Sequence, residues 1–99
     1  MSSYQETLSE NARIAILRLL EEAPKYTGNV SMITQLLHNL GIGFTRDQVS
    51  GEVSWLKEQG LVTTEDHAGF IVVTATVRGV EVAQGIARHP GVKRPRPGS

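Results

Sequence analysis

The chain is expected to fold as a mainly helical α+β domain of three helices, a β-hairpin and a C-terminal helix. Three observations predict this. Apolar residues recur at spacings of three and four through residues 8–23, 30–40 and 49–56, the period of helices with one buried face. After Gly60 the period changes: LVTTED and FIVVTA are apolar, β-branched runs separated by His67-Ala68-Gly69, the pattern of a hairpin with a glycine at its turn. Beyond them, Thr76 precedes Val77, Val80, Ala83, Ile86 and Ala87, which share one side of a last helix.

In the first helix Thr7 is expected to cap the free backbone N–H groups while Glu10 reaches back, a reciprocal capping box. Leu8, Ala12, Ala15, Ile16, Leu19, Leu20 and Ala23 form its stripe, and Pro24 ends it. KYTGN then reads as a connector, with Asn29 capping a second helix from Val30 to Asn39. Ile33, Leu36, Leu37 and Leu40 are its expected buried face, and Gly41 suits the left-handed position that ends helices. The link GIGF is short and glycine-rich, which allows a sharp change of direction.

Thr45, with Gln48 three residues on, predicts a second capping box at the start of a third helix over residues 45–59. Val49, Val53 and Leu56 lie on one face of it, and Gly60 is its stop. The last helix is expected over residues 76–88. Gly79 and Gly85 each weaken it by up to ~1 kcal/mol, so it depends on packing. From His89 onward the Pro-Gly-basic composition cannot bury a core. Residues 1–87 are therefore expected to form the domain, and residues 88–99 a disordered basic tail.

Ninety-nine residues suffice for one modest core. The absence of cysteine excludes disulfides, zinc–thiolate sites and thiol catalysis. MSSYQETLSENAR has no basic segment followed by an apolar run, so it does not read as a secretory signal. No apolar stretch approaches the roughly 20 residues that span a bilayer, and a cytoplasmic location without membrane partners is expected. His38, His67 and His89 are scattered without metal-ligand spacing, and no nucleophile elbow or phosphate-cradling loop is present. The expectation is a non-enzyme with no cofactor and no metal.

A net charge of zero conceals an asymmetry. Residues 1–87 hold six Lys/Arg against ten Asp/Glu, a balance of −4, while residues 88–99 hold Arg88, Lys93, Arg94 and Arg96 and no acid, a balance of +4. The body repels phosphate overall, and the end of the chain attracts it.

VSGEVSWLKEQGLV leading into the hairpin, and TATVRGVEVA after it, resemble a winged helix-turn-helix domain of the ArsR- and MarR-type bacterial regulators. The similarity covers about residues 7–87. Thr74, Thr76 and Gly79 are similar to the Leu-Thr-x-x-Gly run that opens the last helix in those families. The small size resembles that of winged-helix proteins encoded by Mu-like prophages. The resemblance implies a transcriptional regulator that binds double-stranded DNA, with the hairpin as its wing and helix 45–59 in the major groove.

Advancing about 100° per residue from the Val49-Val53-Leu56 stripe, the opposite face of that helix carries Asp47, Gly51, Ser54 and Glu58. Arg46, Ser50 and Lys57 lie along one flank, and Gln48, Glu52 and Trp55 along the other. Arg46 and Lys57 can hold phosphates, Gln48 can pair with adenine, and Ser50 or Ser54 can meet several bases. Arg88, Lys93, Arg94 and Arg96 on a flexible arm can lie along phosphates or enter a minor groove. The acids point elsewhere. Asp47 and Glu58 occupy the outward face, and the hairpin tip offers Glu65 and Asp66 where DNA-touching wings carry Lys or Arg.

The alternative is therefore a protein-interaction or adaptor module on the same frame, without nucleic acid. An ordinary solvated helix face accounts for the same charges, and a turn residue facing water accounts for His67. RNA binding lacks an exposed aromatic pair for stacking. Trp55 either closes the edge of the core or anchors an interface. A monomer of this charge should bind DNA weakly, so a homodimer through helix 8–23 or helix 76–88 is expected if DNA is the partner.

Overall fold

The computed structural model describes residues 3–95. Helix α1 spans Tyr4–Glu22 and is capped by Ser3, whose Oγ accepts from the Glu6 N–H at 3.1 Å. The expected cap at Thr7 is not formed. Thr7 lies inside the helix and its hydroxyl donates to the Ser3 carbonyl. Both Ser3-x-x-Glu6 and Thr7-x-x-Glu10 fit the capping pattern. Nothing between them breaks a helix, so the earlier start gains another turn of backbone hydrogen bonds. Ala12, Ile14, Ile16, Leu17 and Leu20 are buried, while Leu8, Ala15 and Leu19 are partly buried against the core.

The helix ends at Pro24, and a single 3-10 turn, Pro24–Tyr26, carries Lys25 and Tyr26 at positive φ. The segment expected as a connector then forms a short strand, β1, Thr27–Asn29. Asn29 both ends this strand and caps α2, Val30–Asn39, by accepting from the Met32 N–H at 2.7 Å. Val30, Ile33 and Leu37 are buried. Leu40, expected in that stripe, is instead 59% exposed. It lies past the last helical residue, where the chain turns through Gly41 at φ +83° and the Ile42 N–H donates to the Leu37 carbonyl.

Helix α3, Arg46–Glu58, opens with the expected box: Thr45 accepts from the Gln48 N–H, and Gln48 accepts from the Thr45 N–H. Gly60 at φ +75° stops it. Leu61 follows, fully buried. Strands β2, Val62–His67, and β3, Phe70–Ala75, pair antiparallel with His67 opposite Phe70. Their two-residue turn uses Ala68 and Gly69, both left-handed, as a type I′ hairpin requires. Strand β1 adds to the other edge of β3, giving the order β1-β3-β2. Thr27 and Thr74 meet across that pair, hydroxyl to hydroxyl, at 3.0 Å.

Helix α4 spans only Val77–Ala83, against the expected 76–88. Thr76 caps it as anticipated, but Gly85 turns left-handed at φ +78°, and the next two N–H groups both return to the Glu81 carbonyl. Val80 and Ala83 are buried as expected, Val77 and Ile86 are exposed, and Val82 is buried in their place. Gly79 is required by packing, because a Cβ there would collide with the Leu61 carbonyl oxygen.

One core joins these elements. Ile16, Leu17 and Leu20 of α1 meet Ile33 and Leu37 of α2, Val49, Val53 and Leu56 of α3, and Val62 and Val73 of the sheet. Burying each such side chain contributes roughly 1.5–3 kcal/mol. The fold is α+β and mainly helical, with four helices and one three-stranded antiparallel sheet among the described residues. No helix among them is long and apolar enough to cross a membrane.

Residues 88–95 depart most from expectation. They do not extend as a tail but fold back onto α1 and α3. Val92 packs against the core, the Lys93 N–H donates to the Glu10 carbonyl at 3.3 Å, and the Arg13 guanidinium donates to the Gly91 carbonyl at 2.9 Å. Composition alone does not foresee this, because the hydrogen bonds involve backbone groups of the segment and Val92 is the apolar side chain that joins the core.

Candidate nucleic-acid interface

The outward side of α3 is uncovered. Val49, Val53 and Leu56 point inward and are at most 2% exposed, while Asp47, Gly51, Ser54 and Glu58 are all exposed. No atom lies within 4 Å of where a Gly51 side chain would begin. This face therefore offers two small residues between two acids.

The flanks differ from one another. Arg46 and Lys57 are exposed and Ser50 is half-buried beside them, as the helical spacing predicted. On the other side, Gln48 is exposed, yet its Oε1 accepts from the Thr45 N–H at 2.8 Å. A glutamine reads adenine through its carbonyl and amide together. With the carbonyl committed to the cap, only the NH2 group remains to donate.

Trp55, on the same flank, faces into the molecule. The Arg13 guanidinium lies 3.8 Å from its ring centroid and donates through Nε to Glu52 at 2.7 Å. The Arg13 and Glu52 side chains are only 16% and 13% exposed, so this pair is screened less than a surface one. His89 meets the Trp55 ring edge-on, with centroids 5.5 Å apart and planes at 88°. Trp55 thus closes the edge of the core. A hollow lined by Gln5, Ser9, Arg13, Phe44, Gln48 and Trp55 runs between α1 and this flank.

Near the C-terminus, Lys93 is held against α1 and Arg88 against α4. Arg88, Lys93 and Arg94 are exposed. The Lys93 ammonium donates to Asn11 Oδ1 at 3.3 Å, and the Arg88 carbonyl accepts from Arg78 at 3.4 Å. Arg96 lies outside the described residues. Arg46 and Lys57 therefore border one flank of α3, and His89 and Gly91 meet the other at Trp55.

The hairpin has the opposite character. Residues 62–75 contain no Lys or Arg, and Glu65, Asp66 and His67 are exposed. Asp66 Oδ1 accepts from the Gly69 N–H at 2.9 Å, which gives that acid a structural task in the turn. Glu65 is hydrogen-bonded to His67 at 2.8 Å. Phe70, which sequence reasoning placed in a strand without singling it out, is 56% exposed at the tip. Alternation along β3 could have flagged it, since Val73 and Ala75, on the buried face, are odd steps from it.

Arg13 and Gly91 are the other residues that sequence reasoning missed. Arg13 falls within helix α1 with no local mark of its role. Gly91 follows a proline, a turn signal that says nothing of what the turn touches.

Two relatives are similar to this chain over most of its length. Gp26 of Escherichia phage Mu, described as uncharacterized, is 47% identical over 92 residues, covering 93% of this chain and 95% of the phage protein. An uncharacterized protein of Haemophilus influenzae is 39% identical over 77 residues, covering 77% of this chain and 74% of its own length. No protein-family model matches the chain, and no solved structure matches it.

Proposed function

We propose that this chain, which belongs to the family of Escherichia phage Mu gp26, is a small winged-helix protein that binds double-stranded DNA as a phage-associated transcriptional regulator. The observation that carries the reading is the uncovered face of α3. Gly51 and Ser54 allow close approach to a groove floor, and Arg46 and Lys57 stand exposed on one flank. The element order supports a winged helix: a helix pair joined by a short glycine turn, then a hairpin with a third strand at its edge. Arg46 and Lys57 hold phosphates, Ser50 and Ser54 meet base edges, and the Gln48 amide donates to an acceptor.

A homodimer would double these contacts. An open groove of 360 Å³, with Ile14, Ala15, Leu19, Leu40 and Ile42 as its apolar lining, runs between α1 and the turn after α2 and supports the α1 route. On the α4 route Val80, Val82 and Ala83 are already buried within the chain, which leaves the exposed Val77 and Ile86 for a partner.

The test is binding of a fluorescent duplex at low and moderate salt, with the full chain and with residues 88–99 removed. The salt slope should fall by about 0.9 for each phosphate that the shortened protein no longer neutralises. Salt-insensitive or absent binding by both proteins would overturn the reading.

The exposed Glu65 and Asp66 at the hairpin tip, with Asp47 and Glu58 on α3, favour a second reading, a protein-interaction module for a basic partner. Co-purification of such a partner, lost on Asp47→Lys with Glu58→Lys, supports it. An unchanged pull-down counts against it.

A further inference from the structure

A side chain at Gly91 would be both strained and crowded. The φ of Gly91 is +90°, a conformation glycine adopts without steric cost. A Cβ there would lie 2.8 Å from Cζ2 and 2.9 Å from Cη2 of Trp55, and 3.2 Å from Nη1 of Arg13. The residues that crowd it also hold it. Arg13 Nη1 donates to the Gly91 carbonyl at 2.9 Å while its guanidinium covers the Trp55 ring, and Glu52 fixes the guanidinium from the far side.

The neighbouring residues grip as well. His89 meets the edge of Trp55, the Val92 N–H closes a turn on the His89 carbonyl, and Val92 packs on the core. Lys93 is held by its backbone to Glu10 and by its ammonium to Asn11.

We propose that residues 89–93 form a strap clamped by Gly91 onto the Trp55–Arg13 platform, and that the clamp fixes Arg88, Lys93 and Arg94 as phosphate contacts. Gly91 and Trp55 are then positioning residues for duplex binding, an inference that rests on the DNA reading above. Two arguments carry it. A major groove has a phosphate backbone on each side, and α3 has Arg46 and Lys57 on one flank with the strap against the other. A loose arm must also be ordered when it binds, at a cost in conformational entropy that an already docked strap has met beforehand.

The test compares the full chain with Gly91→Ala. Trp55 is the sole tryptophan, so its emission reports strap release without DNA, as does the rate of trypsin cleavage after Arg88 and Lys93. In Gly91→Ala, cleavage should quicken by about tenfold as the local opening becomes favourable, and Trp55 emission should move to longer wavelength. Duplex affinity should fall by roughly three- to tenfold. The salt slope should stay unchanged, since the same cations still meet phosphates. Val92→Ser, which leaves the backbone alone, should shift all three readouts the same way to a smaller extent, with the far-UV dichroism of both variants that of the parent chain.

Cleavage of Gly91→Ala as slow as in the parent would overturn the clamp. A released strap with equal or tighter duplex binding would overturn its positioning role while leaving the DNA reading intact. If the parent chain itself fails to bind duplex, the positioning role falls with the DNA reading, and cleavage and emission still report whether the clamp exists.

Discussion

The carbonyl oxygen of Leu61 stands where a side chain on Gly79 would begin. This close approach joins the start of α4 to the residue that follows α3. Two hydrogen bonds reinforce it: the Thr76 N–H donates to the Leu61 carbonyl at 3.0 Å, and the Thr76 hydroxyl donates to the Gly60 carbonyl at 2.8 Å. The end of α3, the sheet and α4 are thereby held as one unit behind the candidate interface.

Gly79→Ala should therefore destabilise the protein although alanine is the better helix former. Overpacking against backbone has no flexible neighbour to absorb it, and a loss of about 2–3 kcal/mol is expected. Urea unfolding should show a lower midpoint at unchanged slope. A midpoint equal to that of the parent would mean that α4 can move away from Leu61 freely.

Gly51→Ala should do the reverse. Nothing lies within 4 Å of the added methyl group, so the helix should gain up to about 1 kcal/mol. Duplex affinity should nonetheless fall, because the methyl group stands between the backbone and the groove floor. Unaltered affinity in the stabilised variant would indicate a solvated face rather than a reading one.

Gln48→Glu separates the cap from the base contact. A glutamate at that position still accepts from the Thr45 N–H, as capping boxes commonly do, so thermal stability should change by less than about 0.5 kcal/mol. Loss of the amide donor and gain of a negative charge should weaken duplex binding. If binding is unmoved, Gln48 serves the helix alone.

Glu65→Lys tests the hairpin. Asp66 is unsuitable for this purpose because it accepts from the Gly69 N–H, whereas the Glu65 carboxylate is hydrogen-bonded to the exposed His67. On the DNA reading, the added lysine should raise duplex affinity and steepen the salt dependence by about 0.9. On the protein-module reading, the same change should weaken capture of a basic partner and leave DNA binding absent.

What could be read without coordinates was local. Asn29, Thr45 and Thr76 cap helices because each short polar side chain reaches an N–H three residues ahead, and Gly41, Gly60 and Gly69 take the left-handed turns that their places between periodic segments called for. The inward stripe of α3 followed from helical spacing alone, and with it the outward face of Asp47, Gly51, Ser54 and Glu58. Thr7 misled because two overlapping capping patterns compete, and the better one lies a turn earlier.

By itself, then, the sequence determined the order of the four helices and the hairpin, the main turns and the two sides of α3, since each depends on residues close to one another along the chain. Only the tertiary structure decided that residues 27–29 join the sheet, that Gly79 must yield to Leu61, that α4 stops at Ala83, and that a Pro-Gly segment lies over Trp55 and Arg13. The physical reason is common to these cases. Strand pairing, close backbone approach and an arginine shared between a ring, a carboxylate and a carbonyl all join distant residues, and neither periodicity nor composition encodes which partner will be there.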